Sequence, residues 1–265
     1  MNEIIIHCSP WLVMWLLAAG CYFSFKVMIL WKARVAASAA EIAAWLLLCP
    51  TFNFTNFHRR SAAPRVAVIR LALAGMVNLI FGAVLLWGVA PHLAQVPIMA
   101  AWVGMVGLVF VLHFGSFHLV TAFWMQRGRA VEPLMNNPIA AGSLADFWGR
   151  KWNTAFRDGM NLLIFRPVAM RWGVRQAHWL VFLVSGLLHE AVISLPAGAG
   201  WCGPTAYFLL QALGMDLSRR LHLREGLVCR VWTLTFLIMP AGLLFHPPFI
   251  HHVMLPFLKA IGALP

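Results

Sequence analysis

The chain has 265 residues, 62% of them hydrophobic and only 11% charged, whereas a soluble domain is near half apolar and about a quarter charged. Its 20 Lys and Arg against 8 Asp and Glu lie between apolar runs rather than along one soluble face, which argues for membrane topology and against a nucleic-acid partner. Cys8, Cys21, Cys49, Cys202 and Cys229 form neither a CxxC pair nor a metal-like spacing, so neither a zinc site nor a disulfide framework is expected.

At the N-terminus, Met1-Asn2-Glu3 brings no basic region and no small-residue cleavage motif, so the first apolar run reads as a retained span. A spanning helix needs about 20 mostly apolar residues. Pro10 to Leu30, Leu71 to Ala90, Val96 to Phe123 and Trp179 to Leu195 qualify, while Gly203 to Leu217 and Val231 to Phe245 are shorter candidates. Basic residues collect in cytoplasmic loops, and here they fall at Lys26 to Arg34, Arg59 to Arg70, Arg127 to Arg175 and Arg219 to Arg230. The alternation predicts six spans with both termini away from the cytoplasm, provided that Ala36 to Phe57 does not cross. That segment has basic loops on both sides and contains Cys49-Pro50-Thr51, the pattern of an interfacial or re-entrant helix. Without internal repeats or low-complexity linkers, residues 1–265 are expected to form a single all-α, polytopic membrane domain with about six spanning helices and interfacial or re-entrant helices.

In the third candidate span, His113 and His118 are five residues apart and so on different faces, which suits core or cavity-lining histidines better than joint metal ligands. The one long polar interruption, Gln126 to Gln176, contains Ser143-Leu144-Ala145-Asp146, a helix start with Ser143 as N-cap and Asp146 in a capping-box position. On the helix predicted to follow, Trp148, Trp152 and Phe156 share one face and Asp146, Arg150, Asn153 and Arg157 lie along another. Such a helix belongs at the cytoplasmic membrane surface, where an aromatic anchor with snorkelling cations would account for everything except Asn153.

The next span contains Ser185-Gly186-Leu187-Leu188-His189-Glu190. Ionisable residues are costly in hydrocarbon and usually serve a pathway or a site. His189 lies fourteen residues beyond Arg175, roughly 20 Å at the helical rise, and so deep in the protein. A structural histidine bonded to a neighbouring helix is the bland alternative. His189-Glu190-Ala191-Val192-Ile193 is not the HExxH of a zinc protease, and Ser185, one turn before His189, lacks the GxSxG turn of a serine nucleophile. His246 to His252 reads as a Pro-rich loop without ordered ligand spacing.

Together, Ser143 to Asn153 and Val184 to Glu190 resemble the wax-synthase branch of the membrane-bound O-acyltransferases, convincingly from about Pro138 to Arg220, the motif-bearing core at 138–220. The resemblance implies helices around a central acyl tunnel, His189 as catalytic residue and Asn153 as its polar partner, with Trp148, Arg150, Trp152 and Glu190 in supporting positions. It implies transfer of an acyl group from acyl-CoA, a co-substrate rather than a bound cofactor, to a hydrophobic alcohol. Arg150, Lys151 and Arg157, with Arg171 and Arg175 nearby, are candidates for the coenzyme A phosphates, although each taken singly also suits a topology determinant. No metal is called for, the partners expected are acyl-CoA, the alcohol and membrane lipids, and the protein should be multi-pass in the cell membrane or the endoplasmic reticulum. The chain departs from the plant enzymes in being shorter, with fewer N-terminal spans, and in carrying Gln211 where a histidine is expected. Two rivals stand beside this reading: a proton-coupled transporter using His189, Glu190 and Asp216, and a non-catalytic assembly factor.

Overall fold

A computed structural model describes residues 8–223 and 226–265, and among these every regular element is helical. The N-terminal Met1-Asn2-Glu3, expected to start a retained span, lies outside the described residues. In chain order the main elements are α1 (Pro10–Ala33), α2 (Ala39–Leu48), α3 (Phe54–His58), α4 (Arg65–Leu93), α5 (Pro97–Gln126), α6 (Leu144–Asp146), α7 (Thr154–Met160), α8 (Arg166–Trp172), α9 (Val174–Ala197), α10 (Gly203–Arg220) and α11 (Leu227–Leu244). Five of them, α1, α4, α5, α9 and α11, are long and apolar enough to cross a bilayer. The sixth expected span, α10, is an 18-residue helix that carries Gln211, Asp216, Arg219 and Arg220 and so is long enough but too polar to qualify by composition.

The chain divides into two compact units, one made of α1 up to Tyr22, Ile139–Arg150 and Met160–Ala260, the other of Phe23–Pro138, Lys151–Gly159 and Ile261–Pro265. In the second unit, α4 and α5 form a helical hairpin whose backbones meet through glycine. A Cβ on Gly82 would stand 2.7 Å from the Gly107 carbonyl oxygen; small residues permit such approach where helices pack in lipid without a hydrophobic driving force. The start of α4 corrects one expectation, since Arg65 and Arg70, assigned to a basic loop, lie within the helix.

Ten residues of α2 span roughly 15 Å, half of a hydrocarbon core, so no helix between Ala36 and Phe57 is long enough to cross. Its polar ends are satisfied internally. At the N-terminus Ser38 accepts from Glu41 N at 3.2 Å, and Glu41 pairs with Arg129 and, at 3.2 Å, with His58. Burial alone would raise the Glu41 carboxyl, but its bonds to Arg129 and His58 hold it below the usual carboxylate range.

At the C-terminus of α2, Lys26 Nζ donates to the carbonyls of Trp45, Leu46 and Cys49, stands 4.4 Å from the Trp45 ring centroid and is fully buried. Trp124 Nε1 donates to Leu48 O at 2.9 Å. Lys26 is therefore a helix cap inside the protein and not the start of a basic loop, as its place at the end of an apolar run suggested. Its cation meets the negative end of the α2 dipole and carbonyls that helix geometry leaves unpaired. We expect Lys26→Leu to cost about 3 kcal/mol of stability, because each buried acceptor left unpaired costs about 1–3 kcal/mol. Alkylation of Cys49, buried and with its thiol pushed up by that burial, should accelerate in this variant. Unchanged thermal unfolding in detergent together with unchanged Cys49 labelling, followed by mass spectrometry, would refute the cap.

In the first unit, α9 packs on α10 at a glycine: a Cβ on Gly186 would stand 2.6 Å from Thr205 Cα. At the other end of this helix pair, Asp216 accepts from Trp179 Nε1 at 3.0 Å and pairs with Arg175 at 3.7 Å and Arg219 at 3.5 Å. The stretch from His246 to His252, expected as a loop, is helical in two short turns, Pro247–Phe249 and Ile250–Met254. His246 caps the first by accepting from Phe249 N at 3.2 Å, and its Nε2 lies 3.2 Å from Ser194 Oγ. Burial pushes this imidazole below its usual range, against the raising effect of the Glu190 charge.

Candidate functional site

The motif segment starts as its sequence dictates and then departs from it. Ser143 Oγ accepts from Asp146 N at 3.1 Å, while the Asp146 carboxylate takes Gly142 N at 3.1 Å and Arg150 Nε at 2.7 Å. A π-helical turn, Phe147–Lys151, follows α6, and the helix then breaks at Trp152 and Asn153 before α7 begins. The single helix expected here, with Trp148, Trp152 and Phe156 on one face, is thus corrected. Trp148 packs on Phe182 and Phe208 of the first unit, whereas Trp152 packs on His113 and Phe114 and Phe156 on Phe25 of the second.

The cause of the break lies earlier in the chain. Lys151 O accepts from Asn136 N at 2.8 Å and Thr154 N donates to Leu134 O at 2.9 Å, so a non-helical segment takes backbone groups that a continuing helix would have used. Between them Asn153 adopts φ of 41°, a left-handed conformation that asparagine tolerates better than most residues. Its N–H points to Met135 Sδ at 3.3 Å, and its Oδ1 accepts from Phe156 N at 3.1 Å as a cap of α7. Met135 is itself held, through its carbonyl, 3.0 Å from His118 Nε2.

His189 closes the α-helical part of α9, where Glu190–Ser194 turns π-helical. Its Nδ1 is 2.7 Å from the Ser185 carbonyl. A carbonyl only accepts, so Nδ1 carries the proton and, in the neutral ring, Nε2 presents the lone pair. Ser185 Oγ donates to Val181 O at 2.8 Å, which uses the hydroxyl's hydrogen within the helix and leaves the serine-nucleophile reading without support. The imidazole packs on Phe208 at 4.4 Å between centroids, and Phe208 on Trp148 at 5.6 Å.

Trp148 Nε1 in turn donates to Gln211 Oε1 at 3.3 Å, while Gln211 Nε2 donates to Phe236 O at 2.7 Å. The fully buried Gln211 thereby ties the motif tryptophan and α11 to α10. Glu190 Oε1 accepts from Thr205 N at 3.1 Å, placing a carboxyl at the start of α10, where amide groups are unpaired and the dipole favours negative charge.

Residues 131–210 match the membrane bound O-acyl transferase family, and both motifs just described lie inside that match. Over these residues the chain is similar to this family. It is similar to a long-chain-alcohol O-fatty-acyltransferase of Simmondsia chinensis, 32% identical over 143 residues that make up 47% of this chain and 40% of that protein. The probable long-chain-alcohol O-fatty-acyltransferase 9 of Arabidopsis thaliana is 32% identical over 150 residues, 49% of this chain and 44% of the relative. An acyl-CoA–sterol O-acyltransferase 1 of the same plant is 27% identical over 135 residues, 45% of this chain and 39% of the relative. Each alignment covers less than half of the relative's own length.

The matched segment distributes its motif residues over both units. His189, Glu190, Trp148 and Arg150 fall in the first, and Asn153, Trp152, Lys151 and Arg157 in the second. Of the cations proposed for phosphates, Arg150 pairs with Asp146 and Arg157 with Asp158, at 2.8 Å through Nε. The site residues that sequence reading passed over are Phe208, Gln211 as a hydrogen-bonding hub, and Met135. An apolar side chain such as Phe208 or Met135 carries no signal of its own, and Gln211 stood out only as a departure from the histidine that the resemblance leads one to expect.

Proposed function

We propose that this chain is an acyltransferase that moves an acyl group from acyl-CoA to the hydroxyl of a lipid-like alcohol, with His189 as general base. The observation that carries the reading is the tautomer of His189: a bond from Nδ1 to the Ser185 carbonyl leaves Nε2 as a fixed proton acceptor within the family segment. In the proposed step Nε2 takes the hydroxyl proton as the alcohol oxygen attacks the thioester carbonyl carbon. The C–O bond forms, the tetrahedral intermediate collapses, the C–S bond breaks, and the imidazolium returns its proton to the departing thiolate. Ester and free coenzyme A result, with no covalent acyl-enzyme. The developing oxyanion needs a donor, the role proposed for Asn153; with Oδ1 occupied by the α7 cap, it falls to Nδ2–H. The long-chain alcohols and sterols in the relatives' names indicate the acceptor class.

The transporter alternative needs Glu190 and Asp216 to exchange protons with His189. Glu190 bonds Thr205 N and Asp216 bonds Trp179, eleven residues apart along α10 on the Thr205 to Asp216 count, or roughly 16 Å at the helical rise. That separation does not suit a short relay.

Purified protein incubated with labelled acyl-CoA and a panel of alcohols is expected to yield ester and free thiol in equal amounts. The same acyl group on pantetheine, which lacks the nucleotide, should react more slowly, because charge-assisted bonds to phosphate are lost. No ester with any alcohol would overturn the enzymatic reading, and equal rates with both donors would overturn the assignment of coenzyme A.

A further inference from the structure

We propose that His113, with the Trp152 ring stacked on it, is a receptor for the hydroxyl group of a membrane-resident alcohol. His113 lies in the middle of α5, one of the helices suited to cross the bilayer, within a π-helical turn, Phe110–Ser116. Its Nδ1 is buried without a hydrogen-bond partner, and among the described residues neither ring nitrogen meets a donor or acceptor. His118, five residues on, also has a buried Nδ1 without a partner, but its Nε2 lies 3.0 Å from the Met135 carbonyl, so that of the two only His113 lacks any anchor for its ring. An imidazole unpaired in a low-dielectric interior costs about 1–3 kcal/mol relative to one that is paired, so a position that keeps it gains something from a polar group supplied from outside the chain. π-helical turns inside spanning helices frequently mark such positions.

The surroundings select the chemistry of the ligand. Trp152 lies nearly parallel to the His113 ring, at 6.2 Å and 20°, Phe117 stands edge-on at 5.4 Å, and Phe114 packs on Trp152 at 6.4 Å. This aromatic frame contains no carboxylate and no cation, which suits a neutral headgroup on an apolar body. A neutral imidazole offers one donor and one acceptor. A hydroxyl both donates and accepts, so it satisfies the ring in either tautomer, whereas an ester or thioester carbonyl only accepts. The adjoining residue is Asn153, and Trp152 lies in the family segment. The inference rests on the acyltransferase reading only in naming the bound alcohol as the acceptor; recognition of the hydroxyl does not depend on it.

The test is binding, read separately from turnover. Full-length protein in detergent is photo-crosslinked with a diazirine-bearing hexadecanol, and unlabelled hexadecanol and hexadecane compete. For the wild-type chain hexadecanol should compete at a concentration about three- to tenfold below that of hexadecane, the worth of one net hydrogen bond. His113→Phe, which keeps an aromatic ring in the frame, should bring this ratio to about one, and His113→Gln should preserve it. His113→Leu serves as the apolar variant if the phenylalanine protein does not fold. A ratio that stays at the wild-type value in the apolar variant would overturn the proposal, as would equal competition by alcohol and alkane in the wild type. Absence of ester formation with the ratio behaving as expected would defeat the acyltransferase reading alone. Ester formation with no dependence of the ratio on His113 would defeat this inference alone.

Discussion

His189→Ala is expected to lower ester formation per folded molecule by about 10²–10⁴-fold, the contribution of a positioned general base, while the protein still unfolds cooperatively in detergent. The side chain contributes one hydrogen bond, to Ser185 O, and a ring contact with Phe208, so the loss of stability should be no more than about 1–2 kcal/mol. His189→Gln sharpens the result. Its amide can still donate within the helix but has no basic nitrogen, so turnover should fall as far as in the alanine variant. A histidine that served only packing would show the reverse pattern, with stability lost and the surviving folded fraction fully active. Single-turnover ester formation measured beside thermal unfolding separates the two, and wild-type turnover per folded His189→Ala molecule would sink the mechanism.

Asn153 requires a different design, because alanine there changes the backbone as well as the chemistry. Asn153→Ala puts a side chain with no local hydrogen bond at φ of 41° and removes the cap on Phe156 N. About 1 kcal/mol from the left-handed backbone and about 1 kcal/mol from the cap should destabilise the fold by roughly 2 kcal/mol. Its turnover would therefore mix two causes. Asn153→Asp retains an oxygen for the cap and tolerates the left-handed region, yet has no Nδ2–H. This variant should unfold near the wild-type temperature while turnover falls about 10²–10³-fold, the size expected for loss of an oxyanion donor. If Asn153→Asp is fully active, Asn153 is a helix cap and nothing more.

The difference between these two residues follows from what is local in the chain. His189 and Glu190 stand out because ionisable groups in an apolar run are expensive wherever the helix packs, and a 3.6-residue repeat places His189 over Ser185 without help from any other segment. The Ser143 cap and the long apolar helices were legible for the same reason, being set by side chains within a turn of one another and by bulk hydropathy. Asn153 was legible as an unexplained polar residue but not as a break, since the groups that stop the helix, Leu134 and Asn136, lie more than a turn away and act through their backbone, which sequence pattern does not report. Lys26 was misread on similar grounds. A lysine near the end of an apolar stretch has the same local sequence whether it snorkels to a headgroup or caps α2, and only the placement of Trp45, Leu46 and Cys49 carbonyls around it decides the matter. The sequence determined by itself the helical membrane class and the two motifs, with the family resemblance they carry. The tertiary structure alone decided what Gln211 and Glu190 hold and that Trp152 stacks on His113, because each depends on atoms brought together from segments that no local periodicity connects.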